Sequence, residues 1–217
     1  MDTAVGREVR TSRSDDSGPA ADEAAMWIVF LGPPGAGKGT QSKRLTDYLQ
    51  IPHMSTGEML RASIASGSAS GRLAASYMDA GRLVPDPMVL SVVGERLESK
   101  ECCRGCLFDG FPRTIQQAKS LDDMLEQRGL KLGVALELRA DEPELVRRML
   151  KRAAVEKRVD DNPATIAQRM DVYRRQTAPL IQYYEQRQKL SVIDAMQAPE
   201  KVFQDIQRVV DGLKDVR

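Results

Sequence analysis

A glycine-rich stretch that ends with a lysine is the part of the chain whose residue types point most directly to chemistry. Residues 32–40 read Gly-Pro-Pro-Gly-Ala-Gly-Lys-Gly-Thr and follow the apolar run Trp-Ile-Val-Phe-Leu at 27–31. Glycines let the backbone turn tightly and aim successive N–H groups at an anion, and the N-terminus of the following helix adds positive potential. Lys38 supplies a full charge for the β- and γ-phosphates of a nucleotide. The order of strand, loop, lysine and helix therefore predicts a phosphate-binding site.

The loop differs at one position from the common P-loop, which places serine or threonine directly after the lysine. Here Gly39 takes that place, and the hydroxyl comes one residue later, at Thr40. We therefore interpret the stretch as a variant P-loop.

Length and charge exclude several classes of function. The chain has 217 residues and a formal net charge of +1. These values predict one domain with small inserted lobes, and no long-range field that attracts nucleic acid or a membrane surface. No apolar run approaches the length that crosses a bilayer. We therefore expect neither a nucleic-acid partner nor a membrane partner.

The three cysteines lie close together, at 102, 103 and 106, and the only histidine is His53. A tetrahedral zinc site needs four ligands, and no second ligand pair accompanies the cysteines, so we expect no structural zinc. Cys106 is instead predicted to open a buried strand as a small apolar residue. The odd cysteine count and the absence of a secretory signal predict a reducing, cytoplasmic location.

Beyond a polar segment at 1–25, which is expected to be a disordered tail, apolar runs alternate with helical patterns. The predicted strands lie at 26–31, 106–109, 133–138 and 190–193. The predicted helices lie at 37–49, 56–80 with a break near 66–70, 87–99, 114–128, 141–152, 162–188 and 199–214. Pro179 is expected to kink the longest of them. The alternation predicts an α/β fold, a doubly wound parallel sheet of about five strands flanked by helices.

Two polar segments follow predicted strands, the glycine-rich loop and Asp109-Gly110-Phe111. Because ligands bind at the carboxyl ends of parallel strands, both segments are expected to face one crevice. A carboxylate at a strand end, such as Asp109, suits either a metal ion or the cap of a following helix.

Four further segments accompany the loop along the chain. They are Ser-Thr-Gly-Glu-Met-Leu-Arg at 55–61, Asp-Gly-Phe-Pro-Arg at 109–113 with Gln117 beyond it, Lys-Arg at 151–152, and Arg-Val-Asp-Asp-Asn at 158–162 followed by Arg169. Together with the loop they resemble adenylate kinases over residues 26–217. The resemblance implies a core of 26–54, 85–151 and 162–217, an AMP-binding lobe at 55–84 and a short lid at 152–161. It also implies a monomer that converts Mg-ATP and AMP into two ADP, in adenine nucleotide homeostasis.

For the donor, the resemblance implies that ATP is held by Gly35, Ala36, Gly37, Lys38, Gly39, Thr40, Arg148, Arg152 and Gln197. The groups implied to stabilise charge during transfer are Lys38, Arg113, Arg148, Arg152, Arg158 and Arg169. Asp109 is implied to hold Mg²⁺ through water, because magnesium gives up its waters reluctantly.

For the acceptor, the resemblance implies that AMP is held by Thr56, Arg61, Arg82, Leu83, Val84, Gly110, Phe111, Pro112, Arg113, Gln117, Arg158 and Arg169. Thr56 and Gln117 are implied to meet the adenine, whereas an arginine fork matches phosphate oxygens. Ser55 or Thr56 also has the chemistry of a helix N-cap, and both roles are compatible because a helix start attracts anions.

The implied nucleophile is a phosphate oxygen of AMP. A phosphate monoester is largely dianionic at neutral pH because its second pKa is about 6, so no general base is expected. The protein is expected to supply alignment and positive charge, and to close over both nucleotides so that water is excluded.

Other functions compete with this interpretation. Only five residues, 153–157, separate Arg152 from Arg158, so the chain resembles the short-lid forms, which include UMP/CMP kinases. In those kinases the position of Thr56 is usually alanine and that of Gln117 lies in an Asn-Asp-Asn-like context, so both residues favour AMP. A P-loop regulatory module without kinase activity and an inactive homologue are further alternatives. The complete set of site cations argues against both, and the Asn-Lys-x-Asp motif of a GTPase does not occur.

Overall fold

The computed structural model describes residues 25–156 and 162–214. Its strands are β1 (Met26–Leu31), β2 (His53–Ser55), β3 (Gly105–Asp109), β4 (Val134–Arg139) and β5 (Leu190–Asp194). They form one parallel sheet in the order β2-β3-β1-β4-β5. The predicted α/β class with a parallel sheet of about five strands is thereby confirmed.

Helices connect the strands and cover the sheet. Those within the described ranges are α1 (Lys38–Leu49), α2 (Thr56–Ala65), α3 (Ala69–Met78), α4 (Asp86–Leu97), α5 (Ile115–Glu126), α6 (Glu142–Glu156), α7 (Pro163–Val172), α8 (Pro179–Glu185) and α9 (Pro199–Lys214). A 3₁₀ turn at Lys100–Arg104 precedes β3, and a π-helical turn at Tyr173–Thr177 joins α7 to α8.

The central strand β1 explains why the first apolar run is continuous. All six of its residues are buried. Trp27, Val29 and Leu31 belong to one core, on the face covered by α2–α5 and α8. Met26, Ile28 and Phe30 belong to a second core, on the face covered by α1, α6, α7 and α9. A parallel strand covered on both faces has no solvent side, so it reads as an unbroken apolar run.

The structure adds one strand that the apolar runs did not indicate. β2 has three residues, pairs with β3 at the edge of the sheet, and is partly exposed at His53 and Ser55. A strand that short carries no readable alternation of apolar and polar residues. Cys106, by contrast, lies fully buried in β3 as predicted.

The helix predicted over 162–188 is interrupted before Pro179, as the proline indicated. The interruption is a π-helical turn, closed by the bond from Ala178 N to Tyr173 O at 2.8 Å. Proline has no N–H and its ring clashes with the preceding helical turn. The helical turn therefore takes up one extra residue, and the helix begins again as α8 with Pro179 at its first position.

Two predicted segments lie partly or wholly outside the described residues. Residues 1–24 of the predicted tail do so, and so do 157–161 of the predicted lid. Residues 152–156, the first half of that lid, continue α6. Among the described residues, no helix combines the length and the apolar character that spanning a membrane requires.

Candidate active site

The carboxyl ends of the neighbouring strands β1 and β3 open into a cleft of about 980 Å³. It brings together residues that are far apart in the sequence. Of the predicted site residues, it is lined by Gly35, Gly37, Lys38, Gly39, Thr40, Arg61, Arg82, Leu83, Asp109, Gly110, Pro112, Arg113, Arg148, Arg152 and Arg169. Most of the predicted donor and acceptor residues therefore share one cavity.

A smaller cavity adjoins it between α2, α4 and α5. The predicted acceptor residues Thr56, Val84 and Gln117 line it, with apolar walls from Leu60 and Val89. Its lining combines apolar walls with a few polar groups, as is typical of small-molecule sites.

Of the predicted site residues that the structure describes, three line neither cavity. Ala36 and Phe111 are buried in the two cores, at 3% and 0% exposure. The side chain of Gln197 donates to Asp194 O at 3.1 Å and to Asp205 Oδ2 at 3.0 Å. The resemblance implies that Gln197 contacts the donor through its backbone. Arg158 lies outside the described residues.

The glycine-rich loop is held close to α6. Gly35 has φ +84°, and a Cβ at this position would lie 2.8 Å from the carbonyl oxygen of Leu145. Only glycine permits both the backbone angle and this approach. The loop is thereby packed against the helix that carries Arg148 and Arg152.

Lys38, at the start of α1, bonds to its own loop. Its Nζ donates to Gly32 O at 2.7 Å and to Pro33 O at 2.9 Å. Burial lowers the pKa of Lys38 to about 8, the charge of Asp109 opposes that shift, and Arg113 adds to it. Burial and neighbouring cations disfavour the charged form of this lysine. An anionic ligand would stabilise that charged form.

Asp109 ends β3, and its carboxylate lies among polar groups of α1 and β2. Oδ2 is 3.4 Å from Ser42 Oγ and 3.4 Å from His53 Nε2. Burial by itself raises the pKa of Asp109, but the contact with His53 and the charge of Lys38 outweigh it, so the pKa lies below its usual range. The carboxylate is therefore held in its charged form.

The residues at this point fit a magnesium ion shared with a substrate. Magnesium takes oxygen ligands, keeps several waters, and is commonly held by one or two carboxylates together with phosphates. Asp109 supplies one carboxylate. Its Oδ2 faces the loop and lies 3.9 Å from the position that a Cβ on Gly39 would occupy. Within the described ranges, no group of three or more His, Cys, Asp or Glu residues is arranged to hold a metal ion.

Arg113 is held by contacts along both its backbone and its side chain. Its N–H donates to Gln117 Oε1 at 2.8 Å, and its Nε donates to Gly110 O at 2.7 Å. Its carbonyl accepts from Thr177 Oγ1 at 2.9 Å. Thr177 is the last residue of the π-helical turn, so the interruption before Pro179 brings a hydroxyl to the backbone of Arg113.

Arg148 connects α6 to the segment after β5. Its Nε donates to Glu144 Oε1 at 2.7 Å, and its Nη2 donates to Ala195 O at 3.0 Å. Arg152 lies one turn further along the same helix and, with Arg169 of α7, also lines the cleft. Cations from two helices thus face the loop.

On the other side of the cleft, the structure separates the two roles expected at the start of α2. Ser55 is the N-cap, and its Oγ accepts from Glu58 N at 3.4 Å. Thr56 is 3% exposed and donates from Oγ1 to Gly110 O at 2.9 Å. Thr56 lines the smaller cavity, and because its proton is donated to Gly110 O, its hydroxyl can only accept a hydrogen bond there.

Sequence reasoning missed several residues that contact predicted site residues, and among them are Ser42, His53, Asp86 and Thr177. The first two meet Asp109, Asp86 meets Gln117, and Thr177 meets Arg113. Ser42 lies one helical turn after Lys38, which is a weak signal that it faces the same way. For the other three, no spacing in the sequence indicates the partner.

Comparison with known proteins is consistent with this geometry. A family model described as adenylate kinase matches residues 30–189 of the chain. A protein of Thermobifida fusca (strain YX) named adenylate kinase is 48% identical over 189 residues, covering 87% of this chain and 98% of the relative. Proteins of the same name are 45% identical in Rhizobium meliloti (strain 1021), over 85% of this chain and 100% of the relative, and in Caulobacter vibrioides, over 86% and 97%.

Proposed function

The chain belongs to the adenylate kinase family, and from this premise we propose that the cleft transfers a phosphoryl group from Mg-ATP to AMP, giving two ADP. The observation that carries the proposal is that two arrangements suited to binding phosphate share one cavity. One is the glycine-rich loop with Lys38 after β1, and the other is Arg113 after β3. Two nucleotides that face each other across such a cavity have their phosphates in reach of the same cations.

In the proposed reaction, a phosphate oxygen of AMP attacks the γ-phosphorus in line with the leaving ADP. The nucleophile is already anionic, so the protein needs no general base. Lys38, Arg113, Arg148, Arg152, Arg158 and Arg169 supply the positive charge around the transferred group. Lys38 exchanges its bonds to Gly32 O and Pro33 O for phosphate oxygens.

Asp109 is proposed to hold Mg²⁺ through water. The ion, bound with ATP, supplies further positive charge to the β- and γ-phosphates. The low pKa of Asp109 supports this role, because a carboxylate serves such an ion only when it is charged.

The acceptor base is proposed to occupy the smaller cavity. Thr56 and Gln117 supply its polar edge, Arg82 and Leu83 line both cavities, and Arg61 lines the larger cleft. The presence of threonine and glutamine at these places favours AMP over CMP and UMP.

Residues 55–84 are proposed to form the AMP lobe and 152–161 the short lid. Both are proposed to close over the bound nucleotides, because a site open to water would transfer the phosphoryl group to water. We further propose that the protein acts as a monomer in the cytoplasm, without nucleic-acid or membrane partners. The net charge of +1 and the odd number of cysteines support that part of the proposal.

The direct test is a coupled assay of the purified protein with Mg-ATP and AMP, CMP or UMP in parallel. We expect kcat/KM for AMP to exceed the values for both pyrimidine nucleotides by at least about 100-fold, because a site built on hydrogen bonds to one base rejects another. The Lys38→Met variant, purified in the same way, measures any contaminating kinase. Preference for CMP or UMP would favour the UMP/CMP kinase alternative, and no transfer to any of the three would favour a binding module.

Lys38 predicts a specific pH dependence of ATP binding. Its pKa is lowered to about 8 in the free protein, and phosphate oxygens favour its charged form, so binding raises the pKa. Below pH 8 the lysine is already protonated and contributes no pH dependence. Above pH 8 binding must take up a proton, so affinity falls with rising pH, by up to about tenfold per unit.

Calorimetry at pH 9 in two buffers with different ionisation heats measures this proton uptake. The same titrations at pH 7 are expected to show little uptake at Lys38. The Lys38→Met variant is the control, and an undiminished proton uptake at pH 9 in that variant would contradict the assignment to Lys38.

A further inference from the structure

Asp86, the first residue of α4, bridges two groups at the start of α5. Its Oδ1 accepts from Gln117 Nε2 at 2.7 Å, and its Oδ2 accepts from Thr114 Oγ1 at 3.0 Å. Thr114 is the N-cap of α5, and its Oγ1 accepts from Gln117 N at 3.1 Å. Asp86 therefore contacts both the side chain of Gln117 and the residue that caps its helix.

The amide of Gln117 has a defined orientation because its two neighbours have opposite hydrogen-bonding character. It is 1% exposed, and its Oε1 accepts from Arg113 N at 2.8 Å. A backbone N–H can only donate, and a carboxylate can only accept. A flipped amide would place its NH₂ against the N–H of Arg113 and its oxygen against the carboxylate of Asp86. Arg113 N–H and the Asp86 carboxylate thus identify which end of the Gln117 amide is the oxygen and which is the NH₂.

The orientation determines what the amide can offer to a base. An amide has two N–H donors and an oxygen with two lone pairs, and Asp86 and Arg113 use one of each. One donor and one lone pair remain for the smaller cavity, which Gln117 lines together with Thr56 and Leu83. A 6-aminopurine presents an acceptor at N1 beside a donor at its amino group. A 6-oxopurine presents the reverse, a donor at N1 beside an acceptor at O6.

We propose that Asp86 is a positioning residue that fixes the orientation of the Gln117 amide and so makes the acceptor site select a 6-aminopurine over a 6-oxopurine nucleoside monophosphate. Arg113 N–H fixes the other end of the same amide. The inference rests on the proposed function, in which Gln117 meets the base of AMP. It adds a residue that contacts neither phosphate nor the reacting atoms.

The test compares kcat and KM for AMP and IMP, with Mg-ATP as donor, in the wild-type protein and four variants. We expect the wild-type protein to prefer AMP by at least about 100-fold in kcat/KM. Asp86→Ala is expected to lower the AMP/IMP ratio by about tenfold, since one of the two groups that orient the amide is lost. The loss should appear mainly as a higher KM for AMP, with kcat at saturation within about threefold of wild type.

The matched variants separate orientation from general damage. Asp86→Asn keeps an oxygen that accepts from Gln117 Nε2, while its NH₂ can donate to Thr114 Oγ1, so its ratio should stay within about threefold of wild type. Glu95→Ala removes a carboxylate from an exposed position on the same helix, bonded to Ser91 Oγ at 3.2 Å, and should leave both substrates unaffected.

Three outcomes would overturn the proposal: a wild-type protein that does not discriminate AMP from IMP, an Asp86→Ala variant that loses activity equally with both, or an Asp86→Asn variant that loses the ratio as Asp86→Ala does. The first outcome can be tested on the wild-type protein alone, so the proposal can be overturned even if Asp86→Ala fails to fold. Gln117→Ala distinguishes failure of the proposed function. If Gln117→Ala binds AMP as the wild type does, the proposed position of the base site is wrong. If Gln117→Ala has a raised KM for AMP but Asp86→Ala leaves the AMP/IMP ratio unchanged, only the role of Asp86 is overturned.

Discussion

Replacing Arg113 with alanine is expected to lower kcat by about 1,000-fold or more, because cations preorganised around a transferred phosphoryl group commonly contribute that much. Arg113 is held at three points, by Gln117, Gly110 and Thr177. Gln117 and Thr177 hold its backbone, and the bond from Nε to Gly110 O holds the guanidinium, so little reorganisation is needed when charge develops between the nucleotides. The fold should persist, because the side chain lines a cleft rather than a core.

The measurement is the coupled assay at saturating Mg-ATP and AMP, with thermal unfolding of each variant beside it. Arg208→Ala is a matched control, since Arg208 lies on α9 with a side chain that is 68% exposed, and it should keep wild-type turnover. The resemblance to the family places Arg158 in the same set of cations, so Arg158→Ala is expected to lower kcat severely as well. Turnover close to wild type in both Arg113→Ala and Arg158→Ala would show that the cleft is not the site of transfer.

Replacing Gly105 with alanine is expected to lower the free energy of unfolding by more than about 4 kcal/mol, the range of severe core disruptions. Gly105 begins β3 and pairs with Met26 of the central strand. It has φ +112°, and a Cβ there would stand 2.0 Å from the carbonyl oxygen of Met26. The Met26 atoms in this contact belong to the backbone, so no side-chain movement can relieve it and the β1–β3 pairing must shift.

Denaturant unfolding of Gly105→Ala and Gly129→Ala separates the clash from the backbone angle. Gly129 also has positive φ, +69°, but nothing lies within 4 Å of a Cβ placed on it. Its replacement should therefore cost only about 1–2 kcal/mol, the cost of a left-handed conformation. Equal losses in the two variants would mean that the approach of Gly105 to Met26 is unimportant for stability.

The fold class could be predicted from the sequence because it depends on local patterns. Burial on both faces requires the continuous apolar run of β1. Pro179 interrupts its helix whatever that helix packs against. Two features escaped this reasoning. β2 is too short to show a period, and its place in the sheet depends on pairing with β3. The π-helical turn follows from Pro179, but its position at Tyr173–Thr177 does not.

The candidate site divides in the same way. The sequence by itself indicated the glycine-rich loop and Lys38, because residue type and spacing along one segment suffice to predict a phosphate site. The arginines of the cleft lie on several segments, and they were implied by the resemblance to the family. Only the tertiary structure decided that His53 meets Asp109, that Thr177 meets Arg113 and that Asp86 meets Gln117. Each of these contacts joins residues that are distant in sequence. These contacts are set by how the strands pair and how the helices pack on the sheet, and no local sequence pattern encodes them.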